Sequence, residues 1–121
     1  MPIPLLICDD SAMARKQVAR SLPESWDVEI TFAKNGVEGV EAIREGVAEM
    51  VFLDLTMPEL DGYGVLAKVK EENLKAVIIV ISADIQPEAR ERVMGLGALD
   101  FIKKPVNSEK LADVLRTYGL L

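Results

Sequence analysis

Short apolar runs alternate along the chain with longer stretches in which apolar residues recur every three or four positions. The runs at 4–8, 50–53 and 76–81 are continuous, as in strands covered on both faces. Residues 28–32 alternate apolar and polar, which predicts a strand with one wetter face, and 99–102 form a short fifth run. The helical period fills the intervals. Ser11 can cap a first helix running to about Leu22, with Ala14, Val18 and Leu22 on one stripe, and Pro23 closes it. Asn35-Gly36 opens a second, with Val37, Val40 and Ile43 on one face and Gly46 at its end. Asp61 caps a third that reaches about Glu72. A fourth starts near Pro87 and stops at Gly95-Leu96-Gly97, and a fifth runs from about Ser108 to Tyr118. This is an α/β pattern, (βα)₅, and it predicts an open, doubly wound, five-stranded parallel sheet with strands two and five at its edges. Five units are too few for an eight-fold barrel.

Composition narrows the chemistry more than the fold. With 121 residues, 50% hydrophobic and 28% charged, the expectation is one globular domain over residues 1–121. Twenty acidic against fourteen basic residues leave a net charge of -6, which disfavours nucleic acid and anionic membrane surfaces as partners. No apolar run is long enough to span a bilayer and no secretory signal is legible, so a cytoplasmic location is expected. The chain has one cysteine, Cys8, and no histidine. Internal disulfides, Ser-His-Asp and Cys-His catalysis, and the usual zinc sites are therefore excluded. Carboxylates, hydroxyls and lysine remain, and oxygen ligands of this kind suit Mg²⁺ or Ca²⁺.

Ligands of open parallel sheets bind outside the carboxyl ends of the strands. There the first strand delivers Asp9 and Asp10, the third Asp54, the fourth Ser82 and the fifth Lys104. Three gathered carboxylates need a counter-charge, which a hard divalent cation supplies. With a lysine and a hydroxyl added, the set can bind a phosphoryl group and stabilise its transfer, and Asp54, central in the sheet, is the best nucleophile. Each residue also has a plainer role. Paired acids favour a helix N-terminus, Asp and Ser suit turns, and a lysine pair is commonly solvated. Cys8 is expected to pack as a small apolar residue. The plain roles fail jointly, because chance seldom sets this group on four strand ends.

Asp9-Asp10, the segment Asp54-Leu-Thr-Met-Pro-Glu-Leu-Asp-Gly62, Ser82-Ala83 and Lys104-Pro105 together resemble the receiver domains of two-component response regulators, particularly the single-domain, CheY-like members. The resemblance covers essentially the whole chain. It implies a flavodoxin-like strand order 2-1-3-4-5, and Asp54 as acceptor of a phosphoryl group from a sensor histidine kinase or a histidine phosphotransfer protein. It implies Mg²⁺, with Mn²⁺ as a substitute, held by Asp10 directly, Asp9 mainly through water, Asp54 and the Thr56 backbone carbonyl. Ser82, the Ala83 backbone and Lys104 would hold the phosphoryl oxygens. Ser82 and Phe101 would form the switch, and the peptide before Pro105 would be cis. Thr56 and Asp84 would flank the attacking water and tune phosphoryl lifetime.

The same resemblance implies a phosphorylation-activated signalling switch, not an enzyme with an external product, with chemotaxis among its pathways. A single receiver domain with no output domain is expected, and the expected output is then binding of a protein target at the face of helix four, strand five and helix five. Arg90, Arg92, Phe101, Lys103 and Arg116 would contribute to it. Two other classes compete. A haloacid-dehalogenase-type hydrolase needs a second Asp two residues after the nucleophile, where this chain has Thr56. A pseudo-receiver usually lacks one of the acids, the hydroxyl or the lysine, and all are present here. Trp26 precedes the second strand, away from this edge.

Overall fold

The computed structural model describes residues 2–83 and 86–121. Ten elements follow in strict alternation: β1 (Ile3–Cys8), α1 (Ala12–Ser21), β2 (Val28–Ala33), α2 (Gly36–Arg44), β3 (Met50–Leu53), α3 (Gly62–Glu71), β4 (Val77–Ser82), α4 (Pro87–Gly95), β5 (Asp100–Lys103) and α5 (Ser108–Thr117). The strands are parallel and ordered β2-β1-β3-β4-β5, as expected. β4 and β5 each lie one residue later than the apolar runs suggest, so Ser82 and Lys103 close strands rather than begin loops.

The helix starts are set by side chains. Ser11, Asn35, Asp61 and Asn107 each accept a hydrogen bond from the backbone N–H three residues on, satisfying a donor that the first turn would otherwise leave open. Pro87 occupies the first turn of α4.

Two apolar layers flank the sheet. Leu6, Cys8, Val51, Leu53 and Val80 face α2, α3 and α4, while Leu5, Ile7, Phe52, Ile79 and Ile81 face α1 and α5. β3 is buried along its whole length. Edge strand β2 departs from expectation. Its apolar residues Ile30 and Phe32 are 36% and 50% exposed. They pair with Leu5 and Ile7, so they share the α1 side, but α1 packs over β1 and against α5 and leaves the edge open. Val37 is likewise exposed, and α2 buries Gly36, Gly39, Val40 and Ile43 instead.

One close approach matters for the site. A Cβ on Gly62 would lie 2.4 Å from the Asp54 carbonyl oxygen. Only a glycine lets α3 begin this near the end of β3, where the Gly62 N–H donates to the Leu55 carbonyl at 2.9 Å.

Candidate functional site

The carboxyl edge of the sheet is drawn together by backbone hydrogen bonds running from strand end to strand end. The Asp9 N–H donates to Ala33 O at 3.0 Å, Asp54 N–H to Cys8 O at 2.9 Å, and Lys104 N–H to Ser82 O at 2.8 Å. Asp9, Asp54, Ser82 and Lys104 are thus fixed to the sheet before any side chain interacts.

Asp9 is 4% exposed, and its carboxylate is occupied on both oxygens. Oδ1 accepts from the Ser11 backbone N–H at 2.9 Å, and Oδ2 from Lys104 Nζ at 2.9 Å. Lys104 Nζ also lies 3.2 Å from Asp54 Oδ1, so one ammonium serves two carboxylates. Asp10 is exposed and makes no hydrogen bond or ion pair among the described residues. Asp9, Asp10 and Asp54 nevertheless each offer a ligand oxygen within 4.8 Å of the others.

The charges are unbalanced. Burial and then the Asp9 charge push the Asp54 carboxyl above its usual range, against the pull of Lys104. Burial draws Lys104 down, but its hydrogen bond to Asp9 and the charges of Asp54 and Asp9 outweigh that and raise it. Among the described residues, Lys104 pairs with Asp9 and Asp54 and the Asp10 carboxylate has no ion pair, which leaves an excess negative charge at the edge. A hard divalent cation fits an all-oxygen set of this kind. Burial, Asp9 and Asp54 push the Cys8 thiol up to about 12, so it stays neutral and its sulfur packs near Met57.

The residues singled out in the sequence are brought together with few exceptions. Ser82 is buried at the end of β4, with Ala83 exposed beside it and Thr56 exposed two residues after Asp54. The Lys104–Pro105 peptide is cis. Phe101 is half-buried against the α4-side layer, with its Cα paired to Val80. Asp84 lies outside the described residues. Trp26 is buried and packs edge-on against Phe52, with ring centroids 6.4 Å apart, so it reaches β3 two residues before Asp54. Sequence reasoning missed Arg15, whose Nη1 donates to the Asp9 carbonyl at 2.7 Å. Its position one turn beyond the Ser11 cap, with helical side chains leaning toward the N-terminus, was the available signal.

Beside the pocket, Ala14, Gln17 and Val18 of α1 and Pro105 and Val106 after β5 line a mainly apolar groove of about 320 Å³ that ends at Lys104. Gln17 Nε2 spans it to the Val106 carbonyl at 3.2 Å.

A five-stranded parallel α/β sheet with a carboxylate cluster, a bridging lysine and a buried serine at one edge defines a class of doubly wound α/β protein whose open edge offers oxygen ligands to a cation. Comparison with known proteins makes the class specific. The family model for the response regulator receiver domain matches residues 5–116. The chemotaxis protein CheY of Treponema pallidum is 36% identical over 116 residues, covering 93% of this chain and 79% of that protein. CheY of Bacillus subtilis is 32% identical, covering 92% of each. A protein-glutamate methylesterase/protein-glutamine glutaminase of Geobacter sulfurreducens is 38% identical over 115 residues, which is 93% of this chain but 31% of that protein. The chain thus spans about a third of the methylesterase relatives it matches. Among solved structures, a chain of the CheX–CheY–BeF3–Mg²⁺ complex from Borrelia burgdorferi superposes with a TM-score of 0.87 at 30% identity, covering 98% of this chain and 90% of that one. The receiver domain of the response regulator NarL from Mycobacterium tuberculosis gives 0.87 at 25% identity, covering 98% and 96%.

The chain belongs to the response regulator receiver domain family. It is CheY-like in sequence and fold, and its acidic pocket is of the kind at which receiver domains bind Mg²⁺.

Proposed function

We propose that this protein is a phosphorylation-activated switch of a histidine-to-aspartate relay, with Asp54 as the phosphoacceptor. The observation that carries the reading is the placement of Asp54. It sits buried at the end of the central strand, with a carboxylate oxygen within 4.8 Å of oxygens of Asp9 and Asp10 and 3.2 Å from Lys104 Nζ. An Asp54 carboxylate oxygen attacks the phosphorus of a phosphohistidine on a sensor kinase or phosphotransfer protein. The P–N bond breaks, its electron pair returns to the imidazole, and an acyl phosphate forms on Asp54. Mg²⁺, for which Mn²⁺ substitutes, supplies positive charge against the phosphoryl oxygens.

Asp10, Asp54 and the Thr56 carbonyl hold the cation, and Asp9 acts from its fixed position beside them. Lys104, already shared by two carboxylates, pairs with a phosphoryl oxygen, and the Ser82 hydroxyl and Ala83 N–H take the others. Inward movement of Ser82 biases the Phe101 ring, and the face of α4, β5 and α5 reports the change to a protein target. Thr56 and Asp84 set how fast water removes the phosphoryl group. The protein catalyses only its own phosphorylation and dephosphorylation. The cytoplasm, where the kinases' ATP is found, is its proposed location, and chemotaxis is its proposed pathway on the strength of the CheY relatives.

The test is intact-mass detection of a phosphoryl adduct after incubation with a small-molecule phosphodonor, with and without Mg²⁺. An adduct that needs the cation and vanishes in Asp54→Asn supports the reading. No adduct with Mg²⁺ shown to bind assigns the chain to non-phosphorylated receivers.

A further inference from the structure

We propose that Arg15 is a positioning residue for the Asp9–Asp10 peptide and, through it, for the Asp10 carboxylate that meets the divalent cation. The inference rests on the reading of the acidic pocket as a cation site. The two adjacent acids are held in opposite ways. Asp9 has both carboxylate oxygens engaged, by Ser11 N–H and Lys104 Nζ. Asp10 has no partner for its carboxylate among the described residues, so its direction follows from its own backbone.

That backbone begins at the peptide whose carbonyl belongs to Asp9, and Arg15 Nη1 donates to this oxygen at 2.7 Å. The bond restrains ψ of Asp9 and the plane from which Asp10 departs. Arg15 can hold it firmly because its own place is set. Its N–H donates to Ser11 O at 3.0 Å, one turn above the cap, and its half-buried side chain leans back toward the strand end. Arg15 makes no ion pair among the described residues, so the guanidinium is committed to a neutral carbonyl beside an acidic cluster. Groups that orient a metal ligand from behind commonly change metal affinity by about 10- to 100-fold when removed.

A role for Arg15 through charge alone has the opposite sign. A cation next to a cation site repels Mg²⁺, so deleting its charge would tighten binding. The experiment uses Mn²⁺ as the probe, with free Mn²⁺ measured by electron paramagnetic resonance in wild type, Arg15→Met and Arg15→Lys. Methionine keeps an unbranched stem and removes the donor. Lysine keeps the charge and one donor. The expected result is about tenfold weaker binding in Arg15→Met and recovery to within about threefold in Arg15→Lys, with thermal melting of the metal-free proteins little changed. Equal or tighter binding in Arg15→Met overturns the proposal, as does an Arg15→Lys variant no better than Arg15→Met. If Arg15→Met does not fold, an Arg15→Lys loss beyond about threefold overturns it, and retention within that range upholds it. Absence of Mn²⁺ binding in the wild type counts against the cation-site reading itself.

Discussion

The acidic pocket and the face formed by α4, β5 and α5 lie on one sheet, yet they are held by different forces. The pocket hangs on the central strands. β3 is wholly buried, and the carboxylates of Asp9 and Asp54 are tied to backbone and to Lys104. On the face, β5 and α5 bury Ile102, Leu111 and Leu115 in the core, and α4 is the lightly anchored element. α4 buries only Ala89 and Val93. Polar contacts supplement this burial at α4 and at the end of α5. Arg90 Nη2 lies 3.6 Å from Asp100 Oδ1, the Tyr118 hydroxyl donates to Asp100 Oδ2 at 3.0 Å, and the Arg92 guanidinium stacks 3.9 Å from the Tyr63 ring centroid. Exposed contacts of these kinds contribute about 0–1 kcal/mol each. The pocket is therefore held more firmly than α4, whose small buried face is supplemented by individually weak polar contacts.

The most severe way to break this contrast is to disturb the backbone under the pocket. Gly62→Ala drives a methyl group against the Asp54 carbonyl, and we expect a loss of about 3 kcal/mol in urea unfolding together with loss of divalent-cation binding. Lys104→Met removes the cation shared by Asp9 and Asp54. It is expected to cost about 2 kcal/mol without metal, because the pair is only partly exposed, and to bind Mg²⁺ more tightly than wild type in calorimetry.

Asp54→Asn acts in the other direction. A carboxyl whose folded pKa is raised stabilises the fold below its unfolded value and loses that contribution as pH rises through the folded value. At neutral pH the ionised Asp54 is thus a strain, and the asparagine variant should melt a few degrees higher without metal. The gain should shrink as pH falls through the raised Asp54 value, and equal melting at neutral pH would count against that strain.

On the face, Asp100→Asn weakens the link from β5 to α4 and α5. The expected cost is about 1 kcal/mol, with Mn²⁺ affinity unchanged within about twofold. A large change in metal affinity would show that the two regions are not separable. Tyr118→Phe, which removes one exposed hydrogen bond, should lower the melting temperature by less than Asp100→Asn does.

Much of the architecture was legible because the central strands have a pattern with one solution. Residues 50–53 are apolar throughout and become β3 with unchanged bounds, since a strand buried on both faces tolerates nothing else. The caps at Ser11, Asn35 and Asp61 were legible because capping depends on a local side chain. Strand β2 was not. Its alternation promised a covered apolar face, but cover depends on where α1 lies, and Ile30 and Phe32 stay open. The site followed the same division. Asp9, Asp10, Asp54, Ser82 and Lys104 could be read from strand ends alone, whereas the engagement of both Asp9 oxygens and the reach of Arg15 could not.

The sequence by itself determined the alternation of strands and helices, the edge at which the acids gather and the kinds of chemistry left without histidine. Those depend on period, caps and residue type, which act over a few positions. Tertiary structure alone decided that one lysine serves Asp9 and Asp54, that the Asp10 carboxylate stands without a partner among the described residues, and that Arg15 closes on the Asp9 carbonyl. Such pairings join strands or turn a helix back on its strand, over distances set by sheet register and helix placement that no local pattern encodes.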